Sequence, residues 1–183
     1  MTHIDVQSAL AQSLSAPYHD LVTRRTGLAV RTLIERQLSG LADGSVAFLD
    51  FSHIGVLDCS CADEFVAKLM IPLTAEHPSR DGYVVLHGVS DGHVDSIEQV
   101  LHAHGLALVV LFPDGQARLV GAVTDVERRL WEIVMLTGGI AVEGVAAKTG
   151  IAPEEALSLL NSLARRRLVR RDDDCYSPLG AVA

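Results

Sequence analysis

Residues 56–65, VLDCSCADEF, set two cysteines and a serine among three carboxylates, Asp58, Asp63 and Glu64, directly after the apolar run VAFLDF (46–51). Metal binding, redox chemistry, nucleophilic attack and phosphorylation all use such residues. A structural metal needs four ligands at a recognised spacing, whereas Cys59, Cys61 and His53 offer a lone Cys-x-Cys with one histidine, and Cys175 lies far along the chain. No metal and no cofactor is expected, and the thiols read more simply as small apolar side chains. A disulfide between Cys59 and Cys61 would close a very tight ring of poor geometry, so reduced thiols are expected. A helix N-terminus favours a thiolate, but the three acids oppose it, and Cys59 should therefore alkylate slowly. Nucleophilic catalysis needs a base beside the nucleophile and a third group to hold that base. The chain shows no nucleophile elbow, no glycine-rich phosphate loop and no paired metal carboxylates. The expectation is a protein that is not an enzyme, with a thiol-dependent enzyme using Cys59 or Cys61 as the weakest of three functional readings. Ser60 and Asp63, three apart, form a short-acid version of a capping box, so Ser60 is expected to cap the following helix. A phosphate on Ser60 would sit at a helix N-terminus, where exposed N–H groups stabilise an anion.

The elements that must position these residues follow from periodicity. IDVQSALAQSL reads as a leading helix within residues 1–17, and APYHDLV as a turn into a short strand. Thr26 and Gly27 are expected to open a helix whose Val30, Leu33, Ile34, Leu38 and Leu41 recur at three and four. VAFLDF, YVVLHGV (83–89) and LALVVLF (106–112) are continuous apolar runs, the pattern of strands in a parallel sheet, with ARLVG as a hairpin partner beyond PDGQ. Between them lie the helix of CADEFVAKLM, with Pro72 just past its end, and VDSIEQVLHAHG with Ile97, Val100 and Leu101 facing in. Alternating strands and helices predict an α/β domain over 18–120 with a mostly parallel or mixed sheet. The eight histidines are scattered, and His102 and His104 are read as solvated surface.

From residue 121 the pattern changes to three helices, VERRLWEIVML, VEGVAAKTG and PEEALSLLNSLARRR, then LVRRDDDCYSPL, which can form a β-wing. This is a small winged helix-turn-helix (α+β) domain by pattern. The exposed face of its second motif helix would carry Glu154, Glu155, Leu157, Ser158 and Asn161. Two carboxylates and a leucine are poor readers of base edges. Arg165, Arg170 and Arg171 are the candidate phosphate contacts, but Asp172, Asp173 and Asp174 follow at once.

The net charge of −8 argues against non-specific attachment to nucleic acid or an anionic membrane. The charge is also uneven, with seven Lys/Arg against fourteen Asp/Glu up to residue 120 and eight against nine beyond it. No apolar run reaches the span of about 18 residues that a bilayer requires, and MTHIDVQSAL has no basic n-region with an apolar h-region, so the chain is read as cytoplasmic.

VAFLDFSHIGVLDCSCADEFVAKL resembles the strand, loop and helix of STAS domains, the family of anti-sigma-factor antagonists and sulfate-transporter tails. The similarity is greatest to a STAS-like branch in which Asp-Phe-Ser is followed by a Ser-rich turn and Ala-Asp-Glu-Phe. HDLVTRRTGLAVRTLIERQL is similar to the segment ahead of that strand, so the resemblance spans residues 18–110. It implies an α/β regulatory domain whose partners are sigma-regulating kinases and related ATPase modules. In the antagonists the residue after the loop Asp is the phosphorylated serine; here Asp58 is followed by Cys59. The favoured reading is a regulatory protein that docks a partner through Asp58, Cys59, Ser60, Asp63 and Glu64, with the winged helix giving dimerisation or output. The main rival is a transcriptional regulator in which the first domain senses a signal and the winged helix binds an operator.

Overall fold

The computed structural model describes residues 2–14, 19–78 and 81–180. The chain forms two compact units, Met1–Ala122 and Val123–Ala183.

The first unit is built on a five-stranded sheet of order β1-β2-β3-β4-β5. Its strands are β1 (Thr2–Asp5), β2 (Ser45–Asp50), β3 (Gly82–His87), β4 (Ala107–Leu111) and β5 (Ala117–Gly121). The first three pairings are parallel and the last is antiparallel, giving the mixed α/β sheet expected from the strand and helix alternation. The helices are α1 (Val6–Leu14), α2 (Arg24–Ser39), α3 (Cys59–Ala62), α4 (Lys68–Leu73) and α5 (Asp91–Ala103), with a π-helical turn, Asp63–Ala67, joining α3 to α4. Alternate strand residues, among them Ile4, Leu49, Leu86 and Leu108, enter one core with Ile34, Phe65, Met70 and Ile97 from the helices. The period of two in the strands and of three to four in the helices is what brings these side chains to one side.

The leading segment departs from a simple helix. Thr2–Asp5 is a strand, paired residue for residue with Ala47–Asp50, and the helix begins only after Asp5. The Asp5 carboxylate accepts from the Gln7 N–H (2.9 Å) and the Ser8 hydroxyl (2.6 Å), which ends the strand by satisfying the first turn of α1. Val6, Ala9 and Leu10 are fully buried, so the segment is part of the first unit's core. The turn expected at Ala16–Tyr18 lies outside the described residues; the short strand after it is a single parallel bridge, Leu21 to Leu57.

Helix α2 starts earlier than Thr26. Thr23 is its cap, accepting from the Thr26 N–H, and it takes up a left-handed φ of 73°, unusual for a β-branched residue. Pro72 lies inside α4 rather than past it. It sits in the last turn, where the lost N–H removes one hydrogen bond close to a terminus that Thr74 closes on the Met70 carbonyl.

The second unit contains α6 (Asp125–Thr137), α7 (Val142–Thr149) and α8 (Pro153–Arg165) with a small antiparallel sheet of order β6-β8-β7. Its strands are β6 (Ile140–Ala141), β7 (Arg170–Asp172) and β8 (Cys175–Ser177). Thr124 and Glu127 form a reciprocal capping box at α6, and left-handed Gly138 and Gly150 close α6 and α7. Pro153 occupies the first turn of α8, where its missing N–H costs nothing. Leu130, Trp131, Leu160, Leu163 and Tyr176 are buried, and the Trp131 indole donates to the Leu168 carbonyl at 3.2 Å.

Gly27 marks the closest approach of α2 to α3. A Cβ there would lie 2.9 Å from the Cys61 carbonyl oxygen and 3.0 Å from the Glu64 Cβ. Gly27→Ala gains about 1 kcal/mol of helix propensity but should lose about 1–3 kcal/mol through overpacking. Gly92 in α5 meets only the Ser90 Oγ, at 3.9 Å, so Gly92→Ala keeps the propensity gain. Urea unfolding should therefore move the two variants in opposite directions, Gly27→Ala to a lower midpoint and Gly92→Ala to a higher one.

Candidate functional site

The cap of α3 is Asp58, not Ser60. Its Oδ1 accepts from the Cys61 N–H at 2.6 Å and from the Ser60 hydroxyl at 2.9 Å. Its Oδ2 accepts from the Thr23 N–H at 3.0 Å, so one carboxylate serves the starts of both α2 and α3. Burial works to raise the Asp58 pKa, but the donors at Thr23, Cys61 and Ser60 outweigh it and hold the group below its ordinary value. A phosphate on Ser60 would meet this carboxylate rather than an open helix terminus, because the anion position there is already filled. A phosphate on Ser60, which the helix start alone would have permitted, is therefore disfavoured there.

Asp63 and Glu64 lie side by side in the π-helical turn and turn to different partners. Asp63 accepts from Arg24 of α2 at 2.5 Å and is 2.7 Å from the His104 Nε2 at the end of α5. His104 is thus engaged rather than simply solvated, and with Arg24 it holds the Asp63 pKa below its usual range. Glu64, expected on a docking edge, is buried at 7% exposure. It pairs with Lys68 one turn on and with Arg31 of α2 at 3.0 Å, and these cations, Lys68 foremost, likewise depress its pKa. The two acids therefore clamp α2, α5 and the π-turn together, so neither carboxylate is free to meet a partner.

The thiols separate. Cys61 is fully buried, and burial, with the Asp58 and Glu64 charges, pushes its pKa up to about 12. Cys59 is exposed and donates to the Gln99 Oε1 of α5 at 3.1 Å. Among the described residues no group of three or more His, Cys, Asp and Glu is placed to hold a metal, and no helix is long and apolar enough to cross a membrane.

The loop between β2 and α3 is fastened from several directions. The Gly55 N–H donates to the His19 carbonyl at 2.7 Å, and the Val56 N–H to the Asp20 carboxylate at 3.0 Å. The Leu21 N–H donates to the Val56 carbonyl, and the Asp58 N–H to the Leu21 carbonyl. His93, 2% exposed, accepts from the Ser90 N–H through Nδ1, which leaves Nε2 to donate to the Gly55 carbonyl at 3.1 Å. Leu21 and Leu57 point inward across their bridge, so their neighbours Val22 and Val56 point outward, at 39% and 53% exposure.

Sequence reasoning missed Arg24, Arg31, His93 and His104. All four come from elements distant in sequence, and the only local signal was that Arg24 and Arg31 are seven apart and thus on one face of a helix.

In the second unit Glu154, Glu155, Leu157 and Ser158 are exposed on the first half of α8, and Arg165 is exposed in its last turn. Asn161 is engaged within the unit. Its side-chain oxygen accepts from Arg171 at 2.9 Å and from the Tyr176 hydroxyl at 2.8 Å, tying α8 to the hairpin. Arg171, exposed in β7, also donates to the Asp173 carbonyl and so braces the wing. Arg170 is half-buried in β7.

Two predictions follow from this chemistry. Asp58, Asp63 and Glu64 all have folded pKa values below their unfolded ones. Their contribution to stability is complete above the unfolded values, about 4, and is lost as pH falls through the folded ones. Unfolding free energy should drop below about pH 4, and Glu64→Gln should be less stable at neutral pH while losing less on acidification. The second concerns the thiols. Under native conditions iodoacetamide followed by peptide mass analysis should label Cys59 and Cys175 and spare Cys61, which reacts only on unfolding.

Comparison with protein-family models, with curated proteins and with solved structures returned no match, so the role of this site is argued from its geometry.

Proposed function

We propose that the chain is a non-enzymatic cytoplasmic regulatory protein. Its first unit docks a protein partner, and its winged-helix unit serves self-association or output rather than operator recognition. The observation that carries this reading is the fastened loop 52–57. Four hydrogen bonds to residues of α5 and of the segment before α2 hold its backbone, yet Val56 and Val22 are turned to solvent. A pre-organised surface with exposed apolar side chains loses little entropy on binding and suits a protein partner. The STAS-like resemblance of residues 18–110 supports the same role and points to kinase or ATPase modules of sigma regulation as the partner class. The docking contacts are then Val22, Val56 and Cys59, with Asp58, Asp63 and Glu64 shaping the surface from beneath.

A DNA-binding regulator is the second reading, favoured by exposed Ser158 and Arg165 on α8. Against it stand Glu154 and Glu155 at the start of that helix and the exposed acids Asp172–Asp174. Binding to duplex requires neutralised phosphates, and affinity then falls with salt at a slope of about −0.9 per contact. Fluorescence anisotropy with the full chain and duplex from beside its own gene should show no nanomolar binding at physiological salt. A salt-sensitive complex abolished by Arg165→Ala would make the DNA reading the better one. For the partner reading, an interactor recovered on the wild-type chain should be lost on Val56→Asp and kept on Gln116→Ala, a change elsewhere on the surface; equal recovery on both would move the contact away from this loop.

A further inference from the structure

We infer that the exposed face of α6 is a self-association surface, and that its occupant is the α6 helix of a second copy of this chain, laid antiparallel across it. The inference rests on the reading that the second unit mediates self-association and assigns the surface that does so. Val126, Arg129, Ile133 and Leu136 recur at intervals of three, four and three, which places them along one stripe of the helix, about 15 Å long. The opposite stripe, Glu127, Leu130, Trp131 and Val134, is buried in the unit's own core. On the outer stripe Val126 is 43% exposed and Leu136 is 86% exposed, the most exposed large apolar side chain among the described residues. Arg129 and Glu132 are exposed as well, and neither has an ion-pair partner among the described residues.

The order of these residues is self-complementary. A two-fold axis near position 131 sets Val126 against Leu136 of the second copy and Arg129 beside Ile133 of the second copy. The Arg129 guanidinium is then within reach of Glu132 of the second copy. The same three contacts repeat on the other side of the axis, as an isologous interface requires. Apolar contacts thus close both ends, and two ion pairs that a single chain leaves unmade occupy the middle. A parallel arrangement would bring Arg129 against Arg129, so the charges select the antiparallel one. Five helical positions from each copy make a small interface, so the dimer is expected to be weak, in the range of about 1–100 µM.

Sedimentation velocity over a concentration series to about 100 µM tests this. The wild-type chain should pass from monomer to dimer. Leu136→Lys should weaken the dimer at least tenfold, and so should Arg129→Glu and Glu132→Arg singly. The double exchange Arg129→Glu with Glu132→Arg should restore it, which a merely damaged fold could not do; circular dichroism melting of each variant checks that the fold is kept. A dimer indifferent to all α6 variants but lost on Leu157→Glu overturns the inference and leaves self-association through α8 standing. A chain that stays monomeric throughout overturns both. Failure of the double exchange to restore association also overturns the antiparallel arrangement proposed here.

Discussion

Asp58 accepts hydrogen bonds from Thr23, ahead of α2, and from Cys61, in the first turn of α3. Each helix start offers N–H groups with no partner inside the helix, together with the positive end of its dipole. A single half-buried anion satisfies both, and it fixes where the two helices begin relative to each other. The left-handed backbone at Thr23 is tolerated because this bond, and the cap that Thr23 makes to α2, over-determine it. Gly27 then allows α2 to close on the Cys61 carbonyl, and that approach brings Arg24 and Arg31 over the π-turn to meet Asp63 and Glu64. The rest of the site depends on this bridge.

Its consequence is a division between buried polarity and exposed surface. The acids that would be chemically most capable are consumed in holding elements together, and the thiol between them is kept protonated by burial and by their charge. What reaches solvent is a backbone loop with little freedom and two valines at its edge. Such a surface, which also carries the exposed Cys59 thiol, has shape and apolar area, which is why binding is the function proposed for it.

The second unit shows the same economy of charge. Glu127 caps α6 with Thr124 and also accepts from Ser162 and Arg166, so one carboxylate joins a helix start to the end of α8. Asn161 and Arg171 brace the hairpin. Asn161 and Arg171 thus serve internal support, while the exposed residues of α8 include Glu154, Glu155, Leu157 and Ser158, with Arg165 in its last turn.

Periodicity alone determined much of this protein. The apolar runs at 46–51, 83–89 and 106–112, separated by helical stripes, specify an α/β sheet because burial on both faces and burial on one stripe leave different repeats in sequence. Helix ends were less legible, since Thr23, Asp58 and Thr74 mark them where Thr26, Ser60 and Pro72 were expected to. Whether the acids around Cys59 were surface or structure depended on the tertiary fold. Glu64 and Asp63 meet Arg31, Arg24 and His104, residues 33, 39 and 41 positions away, and no local pattern encodes those meetings. The π-turn and the strand at Thr2–Asp5 belong to the same class. One depends on packing α3 and α4 under α2, the other on hydrogen bonds that only β2 can supply, and in both the favourable energy comes from partners that the neighbouring residues do not contain.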